Sequence, residues 1–196
     1  MGGTGRKPVI VGGQELSAIY DGPPRNAAQW IQRGQLDYEE AKIVSGRAYW
    51  TLQFAVGLGE RFARPKEPNM AVVEELVQTQ SPGRSLVSAL AVHLADLPPI
   101  VGKQEFVAMI VGEDPVHGLP RLDHALKTGT FPAPDWKLSG SPLWLLDNAL
   151  EGAARMNAAP KAKPVVIDEE VEKGLREGTY AGPGSVILTR GVTKKS

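Results

Sequence analysis

The chain contains no cysteine, which excludes disulfides, thiolate metal sites and thiol nucleophiles together. It has no excess of either charge. Its 22 basic and 22 acidic side chains balance, so no global field attracts nucleic acid or an acidic surface. No apolar run approaches the roughly 20 residues needed to cross a bilayer. The first residues show neither the apolar stretch of a signal peptide nor a transit pattern, and no Asn-x-Ser/Thr sequon occurs. Together these absences lead us to expect a soluble protein without membrane insertion, in a reducing compartment or a virus particle. Aromatic residues make up only 6% of the chain, so each tryptophan needs its own explanation.

Glycine and proline are plentiful, at 22 and 16 of 196 residues. That is more than a globular chain usually carries and less than a wholly disordered one. With 42% hydrophobic residues, the chain can bury one substantial core. The opening strand Val9-Ile10-Val11 runs into Gly12-Gly13, as nucleotide-binding domains often begin, but the register fails. No glycine follows at the second and third places of a dinucleotide fingerprint. Gly2, Gly3 and Gly5 precede the strand, and the run Gly5-Arg6-Lys7-Pro8 lacks the Gly-Lys-Ser/Thr order of a phosphate loop. We therefore expect an N-terminal arm whose Pro8 to Val11 segment adds to a sheet edge or lies along a neighbour.

The central region reads as helical. Arg25 to Arg33 forms a short helix stopped by Gly34. Asp37-Tyr38-Glu39-Glu40 resembles a capping box, after which Ala41, Val44, Ala48, Leu52, Ala55, Gly59 and Phe62 recur three or four apart, as on a helix face. Asn69 caps a helix over 70–80, residues 84–97 mark another through Leu86, Leu90, Leu94 and Leu97, Phe106 to Val111 and Leu119 to Leu126 add shorter pieces, and Ser141-Pro142 starts a helix over 143–156. No segment is seen to recur along the chain. The expected fold is mainly α, an antiparallel array of about five to seven helices with extended terminal arms carrying short β-prone segments. Its parts are an N-terminal arm (1–24), a helical body (25–156), and a linker and C-terminal tail (157–196) holding strand candidates at 165–167 and 186–189.

Chemical signals are weak. Glu113, Asp114, His117, Asp123 and His124 cluster within twelve residues, but the two histidines stand seven apart with Gly118 and Pro120 between them. That spacing matches no common zinc pattern. His93 reads as structural, Ser139-Gly140-Ser141 as the lead into a capped helix, and the paired acids as helix-start residues. Arg61, Arg64 and Lys66 suit a helix C-terminus. Trp50 and Trp144 read as core, and Trp136 as a loop anchor. No catalytic, cofactor-binding or metal-binding residue is assigned, and the chain is not expected to be an enzyme. The favoured function is a structural or assembly subunit of a large complex, such as a virus particle, that binds other subunits or copies of itself. The alternative is a helical nucleic-acid-binding or packaging factor, motivated by basic residues at the ends (Arg6, Lys7, Lys161, Lys163, Lys194, Lys195). Nucleic acid is the less favoured partner on charge balance, and an enzyme built on the 113–124 loop is third.

Overall fold

The computed structural model describes residues 7–158 and 163–187. Gly2, Gly3, Gly5, Arg6, Lys161, Lys194, Lys195 and the last two positions of the 186–189 strand candidate lie outside the described residues. The expected all-helical array is not what forms. The fold is mixed α/β, with nine α-helices and two three-stranded antiparallel sheets among the described residues.

The elements run β1 (Ile10–Val11), α1 (Gly13–Ile19), α2 (Asn26–Gln32), β2 (Ala41–Val44), β3 (Arg47–Thr51), α3 (Leu52–Gly57), α4 (Met70–Gln80) and α5 (Leu86–Leu90), then β4 (Ile100–Val101), α6 (Lys103–Ala108), α7 (Pro115–Lys127), β5 (Trp136–Leu138), β6 (Ser141–Leu145), α8 (Leu146–Ala158) and α9 (Glu169–Glu177). The order strand, helix, helix, hairpin, helix therefore occurs twice. The sheets are ordered β1-β3-β2 and β4-β6-β5, and their registers correspond. Val11 faces Trp50 and Ile10 faces Thr51, as Val101 faces Trp144 and Ile100 faces Leu145. The duplication is visible in the residues once the sheets are aligned. Val11-Gly12-Gly13-Gln14-Glu15 corresponds to Val101-Gly102-Lys103-Gln104-Glu105, and Ser45-Gly46 to Ser139-Gly140, each five residues ahead of a buried tryptophan.

Three expectations are corrected. The apparent helix from Asp37 to Phe62 is a hairpin and one short helix. Ser45 (φ 49°) and Gly46 (φ 72°) both have positive φ, the backbone of a two-residue hairpin turn whose twist matches that of the strands. Thr51 then caps α3 by accepting from the Phe54 N–H at 3.2 Å. Likewise Ser141-Pro142 belongs to β6, and the helix begins only at Leu146. Of the expected N-terminal arm, Pro8 to Val11 does add to a sheet edge, but the sheet is the chain's own and Val9, Ile10 and Val11 are fully buried. Ile10 lies on an edge strand, where the buried Gln80 side chain takes the place of a neighbouring strand. The Gln80 amide donates to the Ile10 carbonyl at 2.9 Å, and its oxygen accepts from the Ile10 N–H at 3.1 Å.

The chain divides into two compact units. Unit 1 comprises residues 7–42, 48–98 and 136–141, and unit 2 residues 43–47, 99–135, 142–158 and 163–187. The core of unit 1 gathers Val9, Leu16, Trp30, Leu52, Val73 and Val77 around an aromatic triad. Tyr20, Trp30 and Phe62 pack with ring centroids 5.1–5.9 Å apart. The core of unit 2 gathers Val101, Met109, Leu122 and Leu146 around Phe106, Phe131 and Trp144. Val165 and Leu175 also belong to it, and the backbone binds them in place through Val111 N–H to Val166 O at 2.9 Å and Asp168 N–H to Met109 O at 2.8 Å.

Candidate nucleic-acid interface

In unit 1 the Gly12-Gly13 pair raised by the opening stretch starts a helix, in unit 2 Gly102 does the same, and in each the seat a phosphate would take is filled by protein. The N-terminus of α1 is closed by Glu15, which accepts from the Gly12 N–H at 3.1 Å. The same carboxylate accepts from the Ser139 N–H and Oγ–H, both at 2.8 Å. Ser139 Oγ in turn accepts from the Gln14 N–H at 3.1 Å. Unit 2 repeats the arrangement. Glu105 accepts from the Gly102 N–H at 3.0 Å, the Ser45 N–H at 2.5 Å and the Ser45 Oγ–H at 2.7 Å, while Ser45 Oγ accepts from the Gln104 N–H at 3.0 Å. Glycine is required before each helix because a Cβ on Gly12 or Gly102 would stand 2.4 or 2.3 Å from the serine oxygen. With the orphan donors of the first turn answered by a carboxylate and a serine, neither helix end is open to an anion. Sequence reading missed both locks. Their signal was the recurrence of Val-Gly-x-Gln-Glu and of Ser-Gly, each too short to stand out alone.

α1 and α2 form a helix-turn-helix. The Ser17 hydroxyl donates to Gly13 O at 2.7 Å and accepts from the Ala27 N–H at 3.0 Å, so one buried serine ties the second helix to the first. The turn between them carries Asp21 at φ 52°, with Gly22 N–H donating to Ser17 O at 2.9 Å. Ala27 and Trp30 face the core, and Gly34 (φ 67°) ends the helix as its sequence suggested. The opposite face holds Arg25, Gln29, Gln32 and Arg33, spaced four, three and one apart so that all four share one side of the helix. Arg25, Gln32 and Arg33 are exposed and Gln29 is half-buried. Among the described residues no ion pair engages either arginine.

No known protein family, curated protein or solved structure matches the chain.

α6 and α7 form the corresponding pair in unit 2, where Gly118 lets the helices touch. A Cβ there would lie 2.4 Å from Val107. The residues singled out between 113 and 124 sit at the start of α7 and along it. Asp114 caps the helix by accepting from the His117 N–H at 3.0 Å, and its carboxylate also meets the His117 ring at 3.0 Å. Those contacts hold the Asp114 carboxyl below its ordinary value, with the His117 side-chain hydrogen bond leading. Asp123 pairs with Lys103 at 2.5 Å. Glu113, whose side chain is only 3% exposed, pairs with Arg121 at 2.8 Å and Lys163 at 3.0 Å. His124 is exposed on the outer face. These carboxylates are therefore engaged in capping and ion pairs, and among the described residues no group of three or more His, Asp or Glu has the geometry to hold a metal ion.

Burial pushes the Glu113 carboxyl up, but the hydrogen bonds and charges of Lys163 and Arg121 outweigh it and hold the group below its ordinary value. A carboxyl lowered on folding stabilises the fold above its unfolded pKa, and that contribution is lost as pH falls through the folded value. Glu113→Gln is therefore expected to destabilise unit 2 at pH 7, with the gap from wild type closing under acid. Urea melts at pH 7 and pH 3 check this. A gap equal at both would show that the loss is one of packing alone.

The other residues noted in the sequence have structural posts. Trp136 is buried and its indole N–H donates to Pro8 O at 3.1 Å, with the Lys7 ammonium 5.3 Å from the ring centre. Trp144 donates to Pro132 O at 3.1 Å. Arg61 stacks on Phe54 at 4.8 Å and pairs with Glu40 at 3.5 Å. These three and His93 line one open depression of about 720 Å³ in unit 1.

Proposed function

We propose that this chain binds double-stranded DNA through helix-turn-helix surfaces, with α2 as the principal contact element. The observation that carries the reading is the uncommitted face of α2. It belongs to the second helix of a helix-turn-helix that a two-stranded hairpin follows in the chain, and such a helix is placed to enter a major groove. Arginine and glutamine are the side chains that pair bidentately with guanine and adenine edges there. The zero net charge does not oppose this, because phosphate contacts depend on local cations and not on the sum. It does predict modest non-specific affinity. The assembly-subunit reading drew on a helix apolar on two sides, which is a hairpin and a short helix instead, and on extended ends, whose described residues Val9 to Val11, Val165 and Leu175 are buried in the two cores.

The test is fluorescence anisotropy of the full chain on duplex DNA at two salt concentrations. With about three phosphate contacts, raising salt from 50 to 200 mM should weaken binding roughly 40-fold. Absence of binding to any duplex at 50 mM salt, together with a stable high-mass self-assembly, would return the chain to the assembly reading.

A further inference from the structure

The two helix-turn-helix copies share their internal construction and differ on their outer faces. Matching Gly34 to Gly129, the two positive-φ residues that end the second helices, sets Arg33 against Thr128, Gln32 against Lys127, Gln29 against His124 and Arg25 against Pro120. No pair is alike. The outer face of α7 is formed by Val116, His117, Pro120, His124 and Lys127, with Val116 75% exposed.

The N-terminal turns differ as well, and these are the turns that a recognition helix directs at base edges. α2 has no acidic residue in its first turn. α7 is capped by Asp114, whose side chain is 58% exposed, and carries an exposed valine two residues later. A carboxylate at that place repels phosphate, valine and proline offer no donor pair for guanine or adenine edges, and Lys127 stands in the last turn of α7, away from the turns that meet base edges. Arg121, the arginine of α7, is held by Glu113 and by the Lys163 carbonyl.

We infer that base reading is confined to unit 1: α2 reads through Arg25, Gln29, Gln32 and Arg33, α7 reads no bases, and each chain recognises one asymmetric, non-palindromic site. This rests on the DNA-binding reading above. The duplicated fold is then retained for its construction, with one reading face kept and the other given up. The chemistry names the site's content: guanines opposite the arginines and adenines opposite the glutamines.

The experiment selects bound duplexes from a random pool with the full chain in three forms: wild type, Gln29→Ala/Gln32→Ala, and His117→Ala/His124→Ala. All four substitutions fall on outer helix faces, and circular dichroism melts confirm that each protein folds. The wild type should yield one compact, non-palindromic block. The α2 variant should lose about tenfold or more on that block and flatten its adenine positions, with the salt slope unchanged because neither residue is a cation. The α7 variant should keep the same block and bind within about twofold, as expected where no bidentate contact is lost. A palindromic motif, a two-block motif, or loss of a block in the α7 variant overturns the inference while leaving DNA binding intact. Salt-sensitive binding that enriches no motif overturns it too. No binding by the wild type overturns the DNA-binding reading itself, and with it this inference.

Discussion

Glu105→Ala should lower the stability of unit 2 by about 3–5 kcal/mol, measured as a shift of the urea midpoint, because it strips three hydrogen bonds from a carboxylate and strands the donors behind it. The residue is 2% exposed, so water cannot replace what is removed. The Ser45 N–H and the Gly102 N–H both lose their acceptor, and the N-terminus of α6 loses its compensating charge. Glu15→Ala should cost less, about 2 kcal/mol, because Glu15 is only half-buried and its donors regain water more easily. Ser45→Ala keeps the backbone donor and removes only the hydroxyl, so about 1–2 kcal/mol is expected. A Glu105→Ala protein melting within about 1 kcal/mol of wild type would show that the lock contributes little and that another contact seats the hairpin tip.

The second large effect separates two glycines that look alike in sequence. Gly59→Ala should destabilise unit 1 by about 3 kcal/mol or more, since its Cβ would lie 1.9 Å from the Lys66 carbonyl oxygen and 2.8 Å from the Tyr20 ring. The nearer obstacle is backbone and cannot rotate away. The same clash disturbs a hub, because the Tyr20 hydroxyl accepts from the Gly59 N–H at 2.6 Å and donates to the Ala55 carbonyl at 2.8 Å. Gly57→Ala meets nothing within 4 Å and has no positive φ. It should be neutral or stabilising by about 0.5–1 kcal/mol through helix propensity and the reduced entropy of the unfolded chain. Thermal melts of the two single variants decide the matter. Equal shifts would mean that helix propensity governs both sites and that the close approach of Lys66 relaxes at little cost.

Local signals were read well where a side chain itself makes the boundary. Asn69 accepts from the Ala71 and Val72 N–H groups and starts α4 at Met70, as its place before an apolar stripe indicated, and Gly34 ends α2 in the left-handed conformation. The hairpins were illegible for a physical reason. Ala41, Val44, Ala48 and Leu52 satisfy a helical period, and the turn that breaks it is Ser-Gly, with serine standing where asparagine or aspartate usually announces positive φ. Serine occupies that strained position because Glu105 and Glu15 need both its N–H and its hydroxyl. Those partners lie 60 and 124 residues away, beyond the reach of any local pattern. Pro142 misled in the same way. It stands in the second place of the middle strand β6, where a proline ordinarily argues against a strand, but β4 pairs only with Trp144 and Leu145 and does not reach it. For the candidate interface, the sequence placed α2 correctly, and the spacing of Ala27, Trp30 and Ile31 marked the side that the core takes; what it could not show was the pairing with α1, which depends on the Ser17 hydroxyl reaching the Ala27 N–H.

The separation between Glu15 and Ser139 also sets a timetable for synthesis. A ribosome adding roughly 5–20 residues per second needs about six to twenty-five seconds to travel from the first partner to the second. Through that interval α1 has its carboxylate made and its serine not yet made. Unit 1 therefore cannot finish folding while only its first helices have emerged, and its completion waits for a hairpin encoded 124 residues after Glu15. Such a long-range closure is intrinsically slow, so folding intermediates and the need for a holding chaperone should be concentrated in that window.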